Sequence, residues 1–270
     1  MRRTILDHGY IELVEAWGSD EGIVEAARMS TGKGFQGWGT VEDCANCHGS
    51  AREPGFGFNH NCRTCGGDFS PHGPCKTINT PGDEKLLKYL WARKHTSPFE
   101  MAGAIIEVKA PIFVFREWHR HRTQSYSEVS ARYTPLPNES YLPDYNDAVA
   151  RSETAARNKQ AGRADDAPAL TIEKALELLD EEARLLVAVE NLYQRKLKAG
   201  FTKELARTHL TVSRYSRMRA QAVLLNWLKF LMLREDSGAQ WEIRQYANAL
   251  HEILAERFPR TMAVFEGVKT

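Results

Sequence analysis

The stretch of sequence that decides the fold is Glu117–Arg132, which reads EWHRHRTQSYSEVSAR. It gathers arginine and histidine around hydroxyl side chains, and arginine with neighbouring hydroxyls is a typical phosphate-binding set. A solvated, charged helix end is the alternative for any Arg-rich run. The stretch lacks the mixed Lys and Glu of such a face, and Trp118, Tyr126 and Tyr133 suggest burial beside the charges. The residues alone therefore predict a phosphate or nucleotide site.

This stretch lies at a boundary between predicted elements. A strand over 104–109 precedes it, and a helix from Pro111 to about His119 leads into it. Hydrophobic periodicity also predicts a strand over 10–17, helices over 20–28 and 83–95, a loop with at most one short helix over 135–168, a long helix over 171–198, a short helix over 202–209, a strand over 213–221, a buried helix over 224–233 and a last helix ending at Arg257.

Composition indicates an ordinary globular chain. The 270 residues include 36 Lys plus Arg and 35 Asp plus Glu, a net charge of +1 at pH 7. No field of the whole molecule attracts nucleic acid or membrane, so anionic ligands require local basic clusters. We expect no membrane partner and no nucleic-acid partner. The first residues lack the apolar core of a signal peptide, and we expect a cytoplasmic protein.

A segment over 33–82 has a different composition, rich in Gly, Pro, Cys and His. Its Cys-x-x-Cys pairs are separated by fourteen residues, a spacing close to that of four-thiolate zinc sites. The predicted zinc ligands are Cys44, Cys47, Cys62 and Cys65. An unstructured loop with incidental cysteines is the alternative. Further residues that would serve as reserve ligands are His48, His60, His72 and Cys75.

The run Arg120-His121-Arg122, followed after seven residues by Ser130, resembles the signature of the flavin-dependent thymidylate synthases. The resemblance extends to AARMS at 26–30, HTSPFE at 95–100, LMLR at 231–234 and QWEI at 240–243. It implies one domain over 1–270 with an α+β fold, in which an antiparallel sheet packs against helices, the thymidylate synthase-complementing fold. The zinc-knuckle segment at 33–82 is an insertion in that fold. A homotetramer whose active sites span subunits is implied as well.

The resemblance also implies ligands for individual positions. The FAD-binding residues would be Ser97, Arg120, His121, Arg122, Thr123 and Glu128. Val223 and Lys229 depart from the family pattern, in which asparagines contact the flavin; Asn226 is either a substitute for them or an internal packing residue. His95 matches a histidine beside the flavin where folate stacks, although a helix C-terminal cap is an equal alternative on physical grounds.

Substrate residues are implied in the same way. The dUMP-binding set would be Glu117, Arg120, Glu128, Ser130, Ala131, Arg132, Arg207 and Arg234. Ser130 and Arg132 would hold the phosphate. Arg234 would face the pyrimidine as the catalytic residue, because a cation there favours ionisation of the ring N3. Arg207 has a plain alternative as a surface arginine on a short helix.

The implied reaction is the reductive methylation of dUMP to dTMP by a flavoprotein methyltransferase, with methylenetetrahydrofolate as carbon donor and NADPH as reductant through FAD. All cysteines fall between Cys44 and Cys75, so none is left as a nucleophile of the folate-only enzymes. Alkylation of another pyrimidine nucleotide at C5 is one alternative. A zinc-knuckle nucleic-acid-binding protein is another, which the near-zero net charge disfavours.

Overall fold

The computed structural model describes residues 1–38, 82–154 and 167–267. The four predicted zinc ligands, Cys44, Cys47, Cys62 and Cys65, lie outside the described residues. The described ranges share a hydrophobic core that the sheet and the helices enclose. None of the helices in these ranges has the length and apolar character that a membrane crossing requires.

The sheet has five antiparallel strands in the order β1-β2-β3-β5-β4. This confirms the predicted mixture of helices with an antiparallel sheet. The edge strands β1 and β4 are absent from the sequence prediction, because four residues are too few to display a period of two. The strands are β1 (Arg2–Ile5), β2 (Gly9–Trp17), β3 (Gly103–Pro111), β4 (Ser125–Glu128) and β5 (Tyr215–Val223).

The two central strands show why the sheet has one buried face. Alternate residues of β3, from Ala104 to Ala110, are fully buried, and Met218, Ala220 and Ala222 of β5 continue that face. The opposite face of β5 carries exposed residues, among them Arg217 and Arg219. A strand with period-two alternation buries one face and exposes the other. The helices pack on the apolar face.

Nine helices lie in the described ranges, and their lengths vary widely. Their bounds are α1 (Asp20–Arg28), α2 (Asp83–Ala92), α3 (Ile112–Trp118), α4 (Tyr145–Thr154), α5 (Ile172–Lys198), α6 (Lys203–Ala206), α7 (Leu224–Arg234), α8 (Trp241–Arg257) and α9 (Pro259–Glu266). Short 3₁₀ turns cover Met29–Thr31, Ser97–Glu100 and Arg207–His209. The long helix α5 begins at a Thr171 cap and agrees with its prediction.

Side-chain hydrogen bonds to strand carbonyls fix two helices on the sheet. Trp227 of α7 donates its indole N–H to the carbonyl of Ala104 over 3.1 Å. Tyr246 of α8 donates its hydroxyl to the carbonyl of Lys109 over 2.7 Å. Both side chains are fully buried, so each bond satisfies a polar group that burial would otherwise leave unpaired. The helix α7, which ends at Arg234, therefore has a defined position on β3.

The end of α2 differs from its prediction. The helix stops at Ala92, because Lys94 adopts a left-handed conformation with φ of 57°. Lys94 N–H then bonds the carbonyl of Trp91, and His95 N–H bonds that of Leu90 over 2.8 Å. This is a Schellman motif with lysine where glycine is usual. His95 thus closes the helix with its backbone N–H, and its imidazole is exposed.

Candidate active site

The segment β3–α3–β4 presents the Arg-His-Arg run in a turn between α3 and the edge strand. Tyr126 of β4 donates its hydroxyl to the carbonyl of His121 over 2.6 Å and lies 3.2 Å from that of Trp118. Burial raises the pKa of Tyr126 to about 12, so the hydroxyl stays a neutral donor. The buried Gln124 side chain accepts from the indole N–H of Trp118 over 3.0 Å. These bonds fold the turn back onto α3.

Arg234 at the end of α7 meets this turn. Its Nη1 donates to the Glu117 carboxylate over 2.8 Å, its Nη2 to the Glu117 carbonyl over 2.7 Å, and its Nε to Nε2 of His121 over 2.9 Å. The residue is only 7% exposed. A guanidinium has five N–H donors, so two remain after these three bonds. The structure thus brings together three residues of the predicted site, Glu117, His121 and Arg234.

His121 is held in its neutral form. Nε2 accepts from an arginine, which cannot accept in return, so the ring proton lies on Nδ1. Burial, together with the positive charge of Arg234, lowers the pKa of His121 to about 4, and the Glu117 carboxylate opposes the shift. The ring packs against Phe230, with 4.7 Å between ring centroids. A neutral imidazole therefore accompanies Arg234 at physiological pH.

The arginines on either side of His121 are arranged differently. Arg120 and Arg122 are both exposed, and neither guanidinium has a hydrogen-bond or ion-pair partner within the described part of the chain. Asn226 of α7 donates to the carbonyl of Thr123 over 3.3 Å, so α7 also supports this end of the turn. Two cations without carboxylate partners beside a fixed turn suit an anionic group such as the pyrophosphate of FAD.

The turn after β4 joins α6 through polar contacts. The carbonyl of Ser130 accepts from the backbone N–H groups of Tyr133 and Thr134 at 3.0 and 3.1 Å. Lys203 of α6 donates to the Tyr133 carbonyl over 2.7 Å. Since the 3₁₀ turn with Arg207 follows α6 directly, these contacts connect the predicted dUMP residues of the turn, Ser130, Ala131 and Arg132, with the segment that carries Arg207.

Two charges in this region are only partly balanced. The Arg132 guanidinium lies 3.6 Å from the Glu204 carboxylate, and both side chains are more than half exposed. The half-buried Arg207 has no side-chain hydrogen bond or ion pair in the ranges that the structure describes. Glu128 accepts from the buried Ser216 hydroxyl over 2.8 Å, which fixes its carboxylate at the end of β4. Arg132 and Lys203 are therefore the two cations that the contacts place beside the Ser130 turn.

Three sequence predictions have different outcomes. Trp118 is fully buried beside the charges and Tyr126 is half-buried, as their position suggested, but Tyr133 is 76% exposed, so the prediction of its burial was wrong. It lies in a surface turn. His95 and Ser97 follow α2 and make no described hydrogen bond to the Arg-His-Arg turn. The imidazole of His95 contacts the Tyr89 ring edge-on at 6.0 Å.

Sequence reasoning missed two groups at the site. The hydroxyl of Tyr126 closes the turn, and Phe230 supports the His121 ring. The position of one aromatic residue between Ser125 and Ser127 was the available signal for the first. No local signal exists for the second, because Phe230 is one of many apolar residues in α7.

Comparisons with known proteins agree with this geometry. The family model described as thymidylate synthase complementing protein matches residues 12–260. The flavin-dependent thymidylate synthase of Rickettsia typhi is 36% identical over 272 residues, covering 97% of this chain and 77% of that protein. A flavin-dependent thymidylate synthase of Thermus thermophilus is 37% identical over 262 residues, with the same coverage of each chain.

A solved structure adds a neighbour in three dimensions. The crystal structure of the UMP/dUMP methylase PolB from Streptomyces cacaoi, bound with 5-Br UMP, matches with a TM-score of 0.67 and 25% identity. The match covers 98% of this chain and 96% of that one. With the family model spanning 12–260, the chain belongs to the thymidylate synthase complementing family, the family of the flavin-dependent thymidylate synthases.

Proposed function

We infer that this chain is a flavin-dependent thymidylate synthase. It methylates dUMP at C5 to form dTMP, with methylenetetrahydrofolate as the carbon donor and NADPH as the reductant through FAD. The observation that carries this function is the buried Arg234, which Glu117 and His121 hold with three hydrogen bonds while two of its N–H donors have no partner among the described residues. A site built around one oriented cation matches a reaction in which negative charge develops on a ring.

Arg234 acts on the pyrimidine. Its two remaining N–H groups bind a carbonyl oxygen of the uracil ring and favour ionisation at N3, which raises the electron density at C5. Burial makes this interaction stronger than it is in water, because the local dielectric constant is lower. The carboxylate of Glu117 keeps the guanidinium fixed before substrate arrives, so no reorganisation is required during the reaction.

The dUMP phosphate lies at the Ser130 turn. The Ser130 hydroxyl and the Arg132 guanidinium bind its oxygens, and Arg207 approaches from the neighbouring 3₁₀ turn. Arg132 is only loosely paired with Glu204 at 3.6 Å, so a phosphate dianion competes well for it. Arg120, Glu128 and the buried Ala131, which is 4% exposed, complete the pocket between phosphate and ring.

FAD is held by the other half of the motif. Arg120 and Arg122 bind its phosphates, and His121, Thr123, Glu128, Asn226 and Ser97 line the same region. The guanidiniums of Arg120 and Arg122 have no partner among the described residues, and this supports the assignment. When bound, FAD supplies the hydride that completes the methyl group. Exposed His95 is the residue against which folate stacks.

The test is a measurement on purified protein. The protein should carry bound flavin, and dUMP should change its rate of NADPH oxidation. With methylenetetrahydrofolate added, dTMP should form. In Arg234→Ala the flavin should remain while dTMP formation is lost. A colourless protein whose rate of NADPH oxidation does not change when dUMP is added would refute the function. Loss of flavin from the Arg234 variant would refute only the role of that residue.

A second candidate is C5 methylation of UMP. It is favoured by the fold shared with PolB, which is described as a UMP/dUMP methylase. Both nucleotides present the same uracil and phosphate to Arg234 and Ser130, and they differ only in the ribose 2′-hydroxyl. Parallel assays with UMP and dUMP at equal concentrations decide between them. Product from UMP at a comparable rate would make the chain a methylase of both nucleotides.

The oligomer is proposed from the outer face of α5. Leu178, Leu185 and Leu192 repeat every seven residues and are 46%, 59% and 36% exposed. Such a stripe is typical of helix pairing. Acidic residues dominate the first half of α5, and Arg195, Lys196 and Lys198 lie in its last turn. An antiparallel second copy therefore places opposite charges together, and we propose this pairing of two copies as one of the contacts of the homotetramer.

A structural zinc ion is proposed for Cys44, Cys47, Cys62 and Cys65 on their spacing alone. Metal-ligand clusters are not found among the described residues, and these cysteines are not part of that set. Metal analysis of protein purified without chelator tests the proposal. About one zinc per chain is the expected result, and a content far below it would refute the site.

A further inference from the structure

We propose that His209 is a positioning residue for dUMP binding, which latches the 3₁₀ turn of Arg207 onto the long helix α5. The inference rests on the proposed role of Arg207 at the dUMP phosphate. His209 ends the three-residue turn that Arg207 begins. Its Nε2 lies 3.1 Å from the carbonyl of Val189, and its Nδ1 lies 3.2 Å from Nζ of Lys196.

These partners determine the form of the imidazole. A carbonyl oxygen only accepts, so Nε2 carries the proton and donates it to Val189. The ammonium of Lys196 only donates, so Nδ1 is the acceptor. Both nitrogens are therefore used at once, and only a neutral ring protonated on Nε2 satisfies them. Lys196 also lies over the ring of Phe201, with 6.0 Å to the centroid, which keeps its ammonium beside the turn.

Among the described residues, the segment 201–209 has few other attachments: the Phe201 N–H donates to the Lys196 carbonyl over 3.0 Å, and Glu204 lies 3.6 Å from Arg132. Phe201 and Leu205 are half or more exposed, and Ala206 is the fully buried residue of α6. A segment with few buried apolar contacts keeps its orientation through polar contacts. Lys203 fixes its start to the Tyr133 carbonyl, and His209 fixes its end to α5. Arg207 lies between these two attachments, with no hydrogen bond or ion pair of its side chain among the described residues.

Loss of the His209 contacts should weaken the binding of dUMP without affecting the chemical step. Loss of the latch lets the Arg207 turn move away from the Ser130 turn, so the phosphate loses one properly placed cation. The reacting ring, held by Arg234 on a different helix, is unaffected. His209 should therefore act on the KM for dUMP and leave kcat unchanged, because a contact that binds substrate and transition state equally alters only KM.

The experiment compares His209→Phe, which keeps a ring without donor or acceptor, with His209→Gln, whose amide still donates to Val189. We expect His209→Phe to raise the KM for dUMP by about tenfold, equal to 1.4 kcal/mol, with kcat and bound flavin unchanged. His209→Gln should recover most of the loss. Lys196→Met, which keeps the aliphatic stem, should give a smaller increase.

A double variant tests whether His209 acts on dUMP binding through Arg207. In Arg207→Ala, the change His209→Phe should have no further effect on KM, because the residue on which it acts is gone. An equal further increase in that background, or an unchanged KM in His209→Phe alone while Arg207→Ala raises it, would overturn the inference and leave the function intact. If Arg207→Ala itself leaves KM unchanged, the assignment of Arg207 to dUMP fails, and this inference fails with it.

Discussion

Arg234 and His121 are 113 positions apart in sequence, yet the Nε of one donates to the Nε2 of the other over 2.9 Å. The bond removes one degree of freedom from the guanidinium that we place at the pyrimidine. Replacement of His121 by Phe keeps the packing against Phe230 but removes the acceptor. We expect kcat for dTMP formation to fall by about tenfold or more, since one lost hydrogen bond to a charged group is worth about 1.5–3 kcal/mol.

The matched variant is His121→Gln, whose amide oxygen reaches the position of Nε2. It should retain most of the activity, and both variants should keep their flavin as long as Arg120 and Arg122 are intact. Flavin absorbance of the purified proteins and single-turnover rates provide the readouts. Equal activity of the Phe and Gln variants would show that the hydrogen bond to Arg234 has no role in catalysis.

Acid should destabilise the protein partly through His121. Its folded-state pKa of about 4 is below the ordinary value of 6.5, so the unfolded chain binds the proton more readily. The contribution of His121 to the free energy of unfolding is complete above about pH 6.5 and is lost as the pH falls toward 4. Urea midpoints at several pH values within this window should fall more steeply for the wild type than for His121→Gln. Parallel curves would contradict the prediction.

The leucine stripe of α5 should control assembly. Leu185→Asp places a charge in the centre of the stripe, and burial of an unpaired charge in an interface is strongly unfavourable. We expect a smaller species in size-exclusion chromatography with light scattering. Leu205→Asp is the control, because Leu205 on α6 is 56% exposed against 59% for Leu185. An unchanged mass for Leu185→Asp would exclude this face of α5 as a subunit contact.

The buried ion pair between Arg214 and Glu190 connects α5 to the residue that precedes β5. Arg214 also donates to the carbonyl of Pro137 over 2.7 Å. Its side chain is 2% exposed, so removal of the carboxylate leaves a buried cation without its counter-charge. We expect Glu190→Ala to cost about 3–5 kcal/mol of unfolding free energy in urea titrations.

Two comparisons test the cause of that loss. The double variant Glu190→Leu with Arg214→Met removes both charges and should cost clearly less, because no ion stays unpaired. Asp180→Ala breaks the exposed pair with Arg184, whose side chains are 67% and 70% exposed, and should cost little. A double variant as unstable as Glu190→Ala would attribute the effect to lost packing.

The elements that extend over many residues were predictable from sequence. The helix α5 and the strand β3 extend over enough residues for their burial pattern to appear in the sequence. The last helix α9 is absent from the prediction, because Pro259 follows α8 so closely that the start of a new helix is hidden. At α2, a lysine in a left-handed conformation ended the helix three residues early, and only glycine or asparagine would have signalled it.

The grouping of three candidate site residues was predictable, because the sequence motifs themselves supply them. Glu117, His121 and Arg234 came from a resemblance, and the folded chain places them in contact. Their mutual hydrogen bonds were not predictable, since the geometry depends on where α7 lies against α3. The same limit applies to His209, whose partners Val189 and Lys196 lie on another helix. Pairings between distant segments are set by tertiary packing, which a local pattern does not contain.

The pairing of β4 with β5 explains the spacing in the motif. Tyr126 lies opposite Ala220, and Ser127 lies opposite Arg219. A residue inserted in the turn before Ser125 would leave the strand register alone, but one inserted directly before Tyr126 would turn that side chain to the Arg219 face. The hydroxyl would then no longer reach the His121 carbonyl. Of the seven residues before Ser130, the strand part is thus set by the geometry of the sheet before any nucleotide binds.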